Sequence, residues 1–129
     1  MRISKYFKFT IQGDNLNPVE IANTVDLPCE IYMKGEKTLI GPVKKEIIQK
    51  TNRWVYFANL DGKKSTNYFI KQHLEKLVKR KTLLDNFIKD YYSNIEIILY
   101  AGNKTNITLS VQHIKLLNEL GVNFSISFC

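Results

Sequence analysis

The segment Ile95-Glu96-Ile97-Ile98-Leu99-Tyr100 is short, almost wholly apolar and rich in β-branched side chains. Such a run is typical of a central strand that is covered on at least one face. Helical patterns lie before and after it, at 66–92 and 111–120, and we expect both to pack onto the sheet that this strand anchors. The turn-forming residues that flank the run are Ser93, Asn94, Gly102 and Asn103.

Alternation of apolar and polar residues predicts further strands. Within 3–12, Phe7, Phe9 and Ile11 share one side, which indicates a half-buried strand. A final strand is predicted in which Phe124, Ile126 and Phe128 alternate with polar residues. The other predicted strands are 30–33 and a hairpin formed by 44–50 and 53–59, whereas 35–42 is predicted as a loop.

Side-chain caps and helical periodicity predict four helices. The first begins after Asn17, with Pro18 at its first helical position. The long helix begins after Ser65 or Thr66 and runs to about Arg80. The remaining helices are predicted at 83–92 and at 111–120, the latter between Ser110 and Gly121. In the last helix the residues expected to face inward are Val111, Ile114, Leu116, Leu117 and Leu120.

These elements predict an α+β fold in a single domain, 1–129, with one mainly antiparallel sheet and helices packed on one face. The other sheet face would then be open, polar and partly aromatic, and such a face suits a docking surface. Its expected residues are Tyr6, Lys8, Thr10, Gln12, Ser125 and Ser127, with Trp54 and Tyr56 as further candidates.

Composition narrows the class of protein. A chain of 129 residues with 44% hydrophobic and 24% charged residues is an ordinary soluble domain. No apolar run approaches the ~20 residues of a membrane span, and the basic N-terminus lacks the apolar core of a signal peptide. Two cysteines, Cys29 and Cys129, are too few for a disulfide framework. We therefore expect free thiols, a cytoplasmic protein and no membrane association.

Positive charge is concentrated in residues 63–89, which hold eight basic and two acidic residues and so +6 of the net +7. On the long helix, Lys71, Lys76 and Lys79 lie together with Glu75 on the side opposite the apolar residues. They could follow a phosphate backbone, but the chain has 16 Lys against 3 Arg. Because specific nucleic-acid contacts favour Arg, a solvated helix face is the stronger interpretation and nucleic-acid binding the alternative.

Several groups of residues resemble the bacterial domain-of-unknown-function family 4279. At the N-terminal end they are Phe9-Thr10-Ile11-Gln12-Gly13-Asp14, Asn17-Pro18-Val19-Glu20-Ile21, Leu27-Pro28, Gly35 and Trp54; at the C-terminal end they are 109–117, Leu120-Gly121 and 124–128. The resemblance covers nearly the whole chain, but no catalytic residues come with it. It implies a small cytoplasmic protein without assigned activity, and some members resemble immunity proteins encoded beside toxins.

The chain lacks the signals that catalysis or a cofactor usually requires. His73 and His113 fall within the apolar arcs of their helices, so we expect both to be partly buried and hydrogen-bonded. Cys29 and Cys129 have no metal-ligand spacing, and Gly62-Lys63-Lys64-Ser65 departs from a phosphate-binding loop because Phe57 stands where glycine is required. We expect no catalytic residues, no metal and no cofactor.

The sequence therefore favours a non-enzymatic protein-binding module, in particular an immunity protein that neutralises a cognate toxin. In this hypothesis Trp54 and Tyr56 anchor the interface, although a lone Trp is also typical of a core. Lys71, Lys76 and Lys79 would steer a partner with an acidic surface.

Overall fold

The computed structural model of the protein describes residues 5–40, 43–100 and 107–129. Its strands are β1 (Lys5–Gly13), β2 (Glu30–Tyr32), β3 (Lys37–Ile40), β4 (Lys45–Ile48), β5 (Asn52–Asn59), β6 (Tyr92–Leu99) and β7 (Asn123–Phe128). Its helices are α1 (Pro18–Val25), α2 (Thr66–Val78), α3 (Lys81–Asp90) and α4 (Val111–Leu120). Residues 3, 4, 41 and 42 of the predicted elements, and the flanking Gly102 and Asn103, lie outside the described ranges.

A five-stranded sheet with the order β2-β5-β1-β6-β7 forms the main layer. Strand β1 is in the middle and pairs antiparallel with β5 on one side and β6 on the other. Strand β2 pairs antiparallel with β5, whereas β7 pairs parallel with β6. The predicted α+β fold with a mainly antiparallel sheet is confirmed. The segment 95–99 lies in β6, an interior strand, while β1 holds the middle position.

The core lies between one face of this sheet and the helices. Phe7, Phe9 and Ile11 of β1 are fully buried, as are Ile95 and Ile97 of β6. Register places these side chains on the same face, because Phe9 is opposite Ile95 and Phe7 is opposite Ile97. Helix α2 covers them with the buried stripe Ile70, Leu74 and Leu77, the helical spacing that the sequence predicts.

Three of the four predicted helix starts are also confirmed. Helix α3 instead begins at Lys81, before the predicted residue 83, and none of the described side chains caps it. The side chains of Asn17, Ser65 and Ser110 each accept a hydrogen bond from the backbone N–H three residues later, at 3.4, 3.1 and 3.4 Å. Helix α4 ends at Gly121, whose φ of +70° favours glycine. Local hydrogen bonds therefore set these boundaries.

Among the described residues, no helix is long and apolar enough to cross a membrane.

The predicted hairpin of 44–50 with 53–59 is wrong. Strand β4 pairs instead with β3 in a separate two-stranded sheet, so part of the predicted loop is a strand. The reason lies in Asn52, which was expected to turn the chain. Its side-chain amide donates to the carbonyls of Asp14 and Leu16 at 3.2 and 3.0 Å, and its carbonyl accepts from the N–H of Lys34 at 2.8 Å. These long-range bonds hold Asn52 at the start of β5, beside the end of β1.

The inward side of α4 also differs from the prediction. Val111 and Ile114 are 73% and 55% exposed, while His113 is buried. The His113 ring lies 2.9 Å from the Asn67 carbonyl at the start of α2. This contact and the burial of Leu120 set the orientation of α4 about its own axis. In that orientation Val111 and Ile114 face solvent.

We expect Ile97→Ala to lower the free energy of unfolding by about 2–5 kcal/mol, because Ile97 is fully buried and its loss leaves a cavity. The matched control is Ile48→Ala, at a position that is 59% exposed, which should change it by less than about 0.5 kcal/mol. Urea unfolding followed by circular dichroism measures both. Equal losses in the two variants would contradict the placement of the core.

Candidate partner-binding surfaces

Trp54 and Tyr56, the predicted interface anchors, lie in the core. They are 0% and 3% exposed, and in β5 they stand opposite Ile11 and Phe9, whose side chains face the helices. The rings of Phe9 and Trp54 meet edge to face, with centroids 5.7 Å apart. Their expected role as surface anchors is wrong, because cross-strand partners share one face of a sheet.

Strand β5 alternates as predicted, but the outward side is the one that carries Phe57. Phe57 is 41% exposed, and its ring centroid lies 4.6 Å from that of Tyr6. The ring of Tyr100 meets Tyr6 edge to face at 5.6 Å. Phe57, Tyr6 and Tyr100 together form an aromatic cluster on the uncovered face.

The uncovered sheet face carries the six polar and aromatic residues that the sequence predicts there. Register places Tyr6, Lys8, Thr10 and Gln12 of β1 and Ser125 and Ser127 of β7 on this side. The same register adds Arg53, Glu30 and Glu96, so that with Lys8 this face holds two cations and two carboxylates. Lys8 stands opposite Glu96, whereas Arg53 stands opposite Tyr32. Opposite charges therefore balance on this face.

These charged groups shift the pKa values of one another and of a neighbouring tyrosine. Burial and the nearby Arg53 lower the pKa of Lys8, and the carboxylates of Glu96 and Glu30 oppose that shift. Burial and a hydrogen bond to the Glu30 carboxylate raise the pKa of Tyr32 to about 12. Among the described residues no ion pair within 4.0 Å joins Lys8, Arg53, Glu30 and Glu96, and their formal charges sum to zero, so together they give this face no net charge.

The three predicted steering residues lie on α2, away from the sheet. Lys76 and Lys79 are exposed, and Lys71 is half-buried. The ion pairs within the described residues are Lys5 with Asp61 at 3.7 Å and Lys81 with Asp85 at 3.0 Å. In that part of the chain, no carboxylate oxygen therefore lies within 4.0 Å of the three ammonium groups.

Other cations of the basic run are engaged in the fold. Arg80 donates from Nε to the carbonyl of Val25 at 3.2 Å and from Nη1 to the carbonyl of Lys76 at 3.0 Å. Arg80 thus braces the junction of α2 and α3 against α1. Lys81 is paired with Asp85 on the next helix. The arginine that would best recognise phosphate is therefore committed to packing.

Tyr68 is a surface aromatic residue that the sequence interpretation missed. It is 47% exposed on α2, three positions before Lys71, so it lies on the same side of the helix as the lysines. The ammonium of Lys64 lies 5.7 Å from the centroid of its ring. Helical spacing from Lys71 is the signal that could have identified it. We call the surface of Tyr68, Lys71, Lys76 and Lys79 the basic α2 face.

A shallow, open groove separates α2 from α4 beside this face. Two lysines and two glutamates alternate along it, so its charges are mixed. Its lining residues are Lys71, Glu75, Gln112, Lys115, Leu116 and Glu119. Such a groove suits contact with polar protein surface better than enclosure of a small molecule.

Both histidines are at least partly buried and hydrogen-bonded, as predicted. His73 Nδ1 lies 2.7 Å from the Tyr56 hydroxyl beneath α2. His113 Nδ1 accepts from the N–H of Ser110 at 3.0 Å, so its Nε2 carries the proton and donates to the Asn67 carbonyl at 2.9 Å. These bonds hold the rings in packing positions.

The two cysteines are free, Cys29 half-buried and Cys129 exposed, which agrees with the expected thiols. Within residues 5–40, 43–100 and 107–129, no three His, Cys, Asp or Glu side chains gather as a metal site would require.

We expect the protein to lose stability as the pH falls from 7.5 to 5.5. Burial and the neighbouring Lys76 lower the pKa of His73 below its ordinary value of 6.5. The unfolded chain therefore binds a proton at a higher pH than the folded chain, and stability is complete above pH 6.5 and declines below it. The urea midpoint measured across this range should fall in the wild type. In His73→Gln the urea midpoint should depend less on pH. If it falls with pH as steeply as in the wild type, His73 is not the cause of the loss of stability.

The sequence profile described as "Domain of unknown function (DUF4279)" matches residues 4–128. No curated protein and no solved structure matches the chain. The match covers both groups of residues from which the resemblance was inferred, at the N-terminal and C-terminal ends. The family inferred from those residues is confirmed, and the chain belongs to the DUF4279 family.

Proposed function

We propose that this protein is a non-enzymatic, cytoplasmic binding module that captures an acidic protein partner through the basic α2 face. The observation that carries the proposal is a set of three lysines on the same side of the helix as the exposed ring of Tyr68, with no carboxylate oxygen of the described residues within 4.0 Å of their ammonium groups. An immunity protein that neutralises a cognate toxin is the function of this kind that we favour.

Charge and aromatic surface have separate roles in this proposal. Exposed lysines accelerate encounter with an acidic surface, and their effect weakens as salt screens them. Tyr68 supplies an amphipathic contact of the type that carries binding energy at interfaces. This assignment replaces Trp54 and Tyr56, whose burial removes them from any surface.

We expect charge reversal of the basic α2 face to abolish protection against the partner. The variant is Lys71→Glu, Lys76→Glu and Lys79→Glu, which turns attraction into repulsion towards an acidic surface. The test co-expresses the protein with the product of the neighbouring gene and measures growth and co-purification. Wild-type protein should form a complex and restore growth, whereas the variant should do neither.

The matched control carries the same charge change on the small sheet, at the exposed residues Lys34, Lys37 and Lys45. It should protect as well as the wild type. Equal protection by both triple variants would show that the α2 lysines do not guide binding. A complete absence of complex with the wild type would overturn the proposed partner.

Nucleic-acid binding is the second candidate, and the unneutralised Lys76 and Lys79 are the observation in its favour. Three phosphate contacts on single-stranded RNA would give a slope of about −2 for log K against log salt concentration. We expect fluorescence anisotropy with a labelled random RNA to detect no tight binding at low salt. Tight, salt-sensitive binding that is lost in the α2 triple variant would favour this candidate instead.

A further inference from the structure

Strand β7 leaves one edge of the main sheet unpaired within the described residues. We propose that this edge is a self-association site, at which β7 of one copy pairs antiparallel with β7 of a second copy. Ile126 would stand opposite its own counterpart on a two-fold axis, and the two sheets would continue as one of ten strands. The inference concerns a different surface from the basic α2 face and does not depend on the proposed function.

The backbone of β7 presents the groups that this pairing needs. The N–H of Cys129 donates to the carbonyl of Leu99 at 2.8 Å, so the backbone N–H of residue 129 points towards β6. Along a strand, the backbone N–H and C=O groups of successive residues point to opposite edges of the strand. The N–H and C=O groups of Phe124, Ile126 and Phe128 therefore point away from β6, towards the open edge.

A two-fold axis at Ile126 matches this alternation. It places Ile126 opposite Ile126 and Phe124 opposite Phe128, each as a hydrogen-bonded antiparallel pair. Three such pairs form six backbone hydrogen bonds. Each opposed pair also lies on the same sheet face, the one that carries the helices in both copies.

The flank beside this edge is apolar. On the strand, Phe128 is 78% and Ile126 is 38% exposed. Helix α4 returns from the end of β6 to the start of β7, so its N-terminus lies at the end of the sheet where Phe128 lies. Its Val111 and Ile114 are exposed, and neither lines the groove between α2 and α4.

The lack of charged side chains on β7 favours a second copy of the chain as the partner at this edge. Strand β7 has no ionisable side chain, although the whole chain carries +7. Exposed edges in proteins that remain monomeric are usually protected by charged residues or proline, and β7 has neither. Two basic chains can therefore approach each other along this flank with little repulsion, while a charged partner finds no complement there.

The opposite edge of the sheet is different. Strand β2 has three residues, and Glu30 and Tyr32 on it are joined by a side-chain hydrogen bond. A short edge with a charged residue resists strand addition. Pairing through β7 alone consumes the open edge and gives a closed dimer instead of a growing fibre.

The size of the contact indicates a reversible dimer. Covering the four exposed aliphatic and aromatic side chains removes on the order of 400 Å² of apolar surface per copy. A standard interface buries about 800 Å² per partner, and the paired backbones add to the apolar part. We expect dissociation in the micromolar range.

The experiment places a charged side chain at position 126, on the two-fold axis, and measures the mass of the protein in solution. Sedimentation velocity at about 100 μM should give twice the 15.0 kDa chain mass for the wild type. Ile126→Lys and Ile126→Glu should each be monomeric, since like charges then stand directly opposite. An equal mixture of the two should recover the dimer, because only this register places position 126 against itself. Val43→Lys, at an 84% exposed position on the small sheet, is the matched control and should dimerise.

Circular dichroism confirms that each variant is folded before its mass is interpreted. A wild type that stays monomeric would overturn the proposal and leave the edge for an extended segment of another protein. A dimer that survives Ile126→Lys, or a mixture that stays monomeric, would also overturn it.

A distance measurement tests the same register without changing β7. In a Cys29→Ser background, a spin label on Cys129 reports the separation of the two chain ends. Three residues on each side of the axis place the two positions about 20 Å apart along the strands. Pulsed dipolar spectroscopy should therefore give a distance of about 20–30 Å, and the absence of an intermolecular distance would contradict the pairing.

Discussion

The antiparallel pairing of β1 on both of its sides is the constraint on which this structure depends. Because β1 lies between β5 and β6, the positions of Phe7, Phe9 and Ile11 decide which face of both neighbours is covered. Side chains of an antiparallel pair must share a face. A shift of one residue in either register would expose the core side chains and bury Lys8.

The division of the molecule into three surfaces follows from that pairing. One sheet face is sealed by helices, and its aromatic residues are removed from recognition. The other face lies away from the helices, although Thr10 and Val55 on it are buried, and its two cations and two carboxylates balance. The unbalanced charge is left on the outer side of α2, and the apolar surface on the flank of β7 and α4. The proposed recognition of an acidic partner and the proposed self-association therefore use different parts of the molecule.

Features set by neighbours in the sequence were predicted from it correctly. Asn17, Ser65 and Ser110 cap their helices through bonds to residues three positions away. The alternation in β1 and the apolar run of β6 needed only strand periodicity. The exposed lysines of α2 were predicted for the same reason, since the helical period separates them from Ile70, Leu74 and Leu77. The family was also identified from short local patterns, and the profile match confirms it.

The sequence by itself determined three of the helix starts, the strands β1 and β6, the family and the sign of the α2 surface, because each of these depends on local bonds or on a fixed period. Only the tertiary structure decided which strands pair, which side of β5 is buried and how α4 is rotated. Asn52 bonds to Asp14 and Leu16, and His113 bonds to Asn67, across gaps in sequence that no local pattern records. Strand partners and helix rotation depend on such distant contacts, and so they are fixed only when the chain is folded.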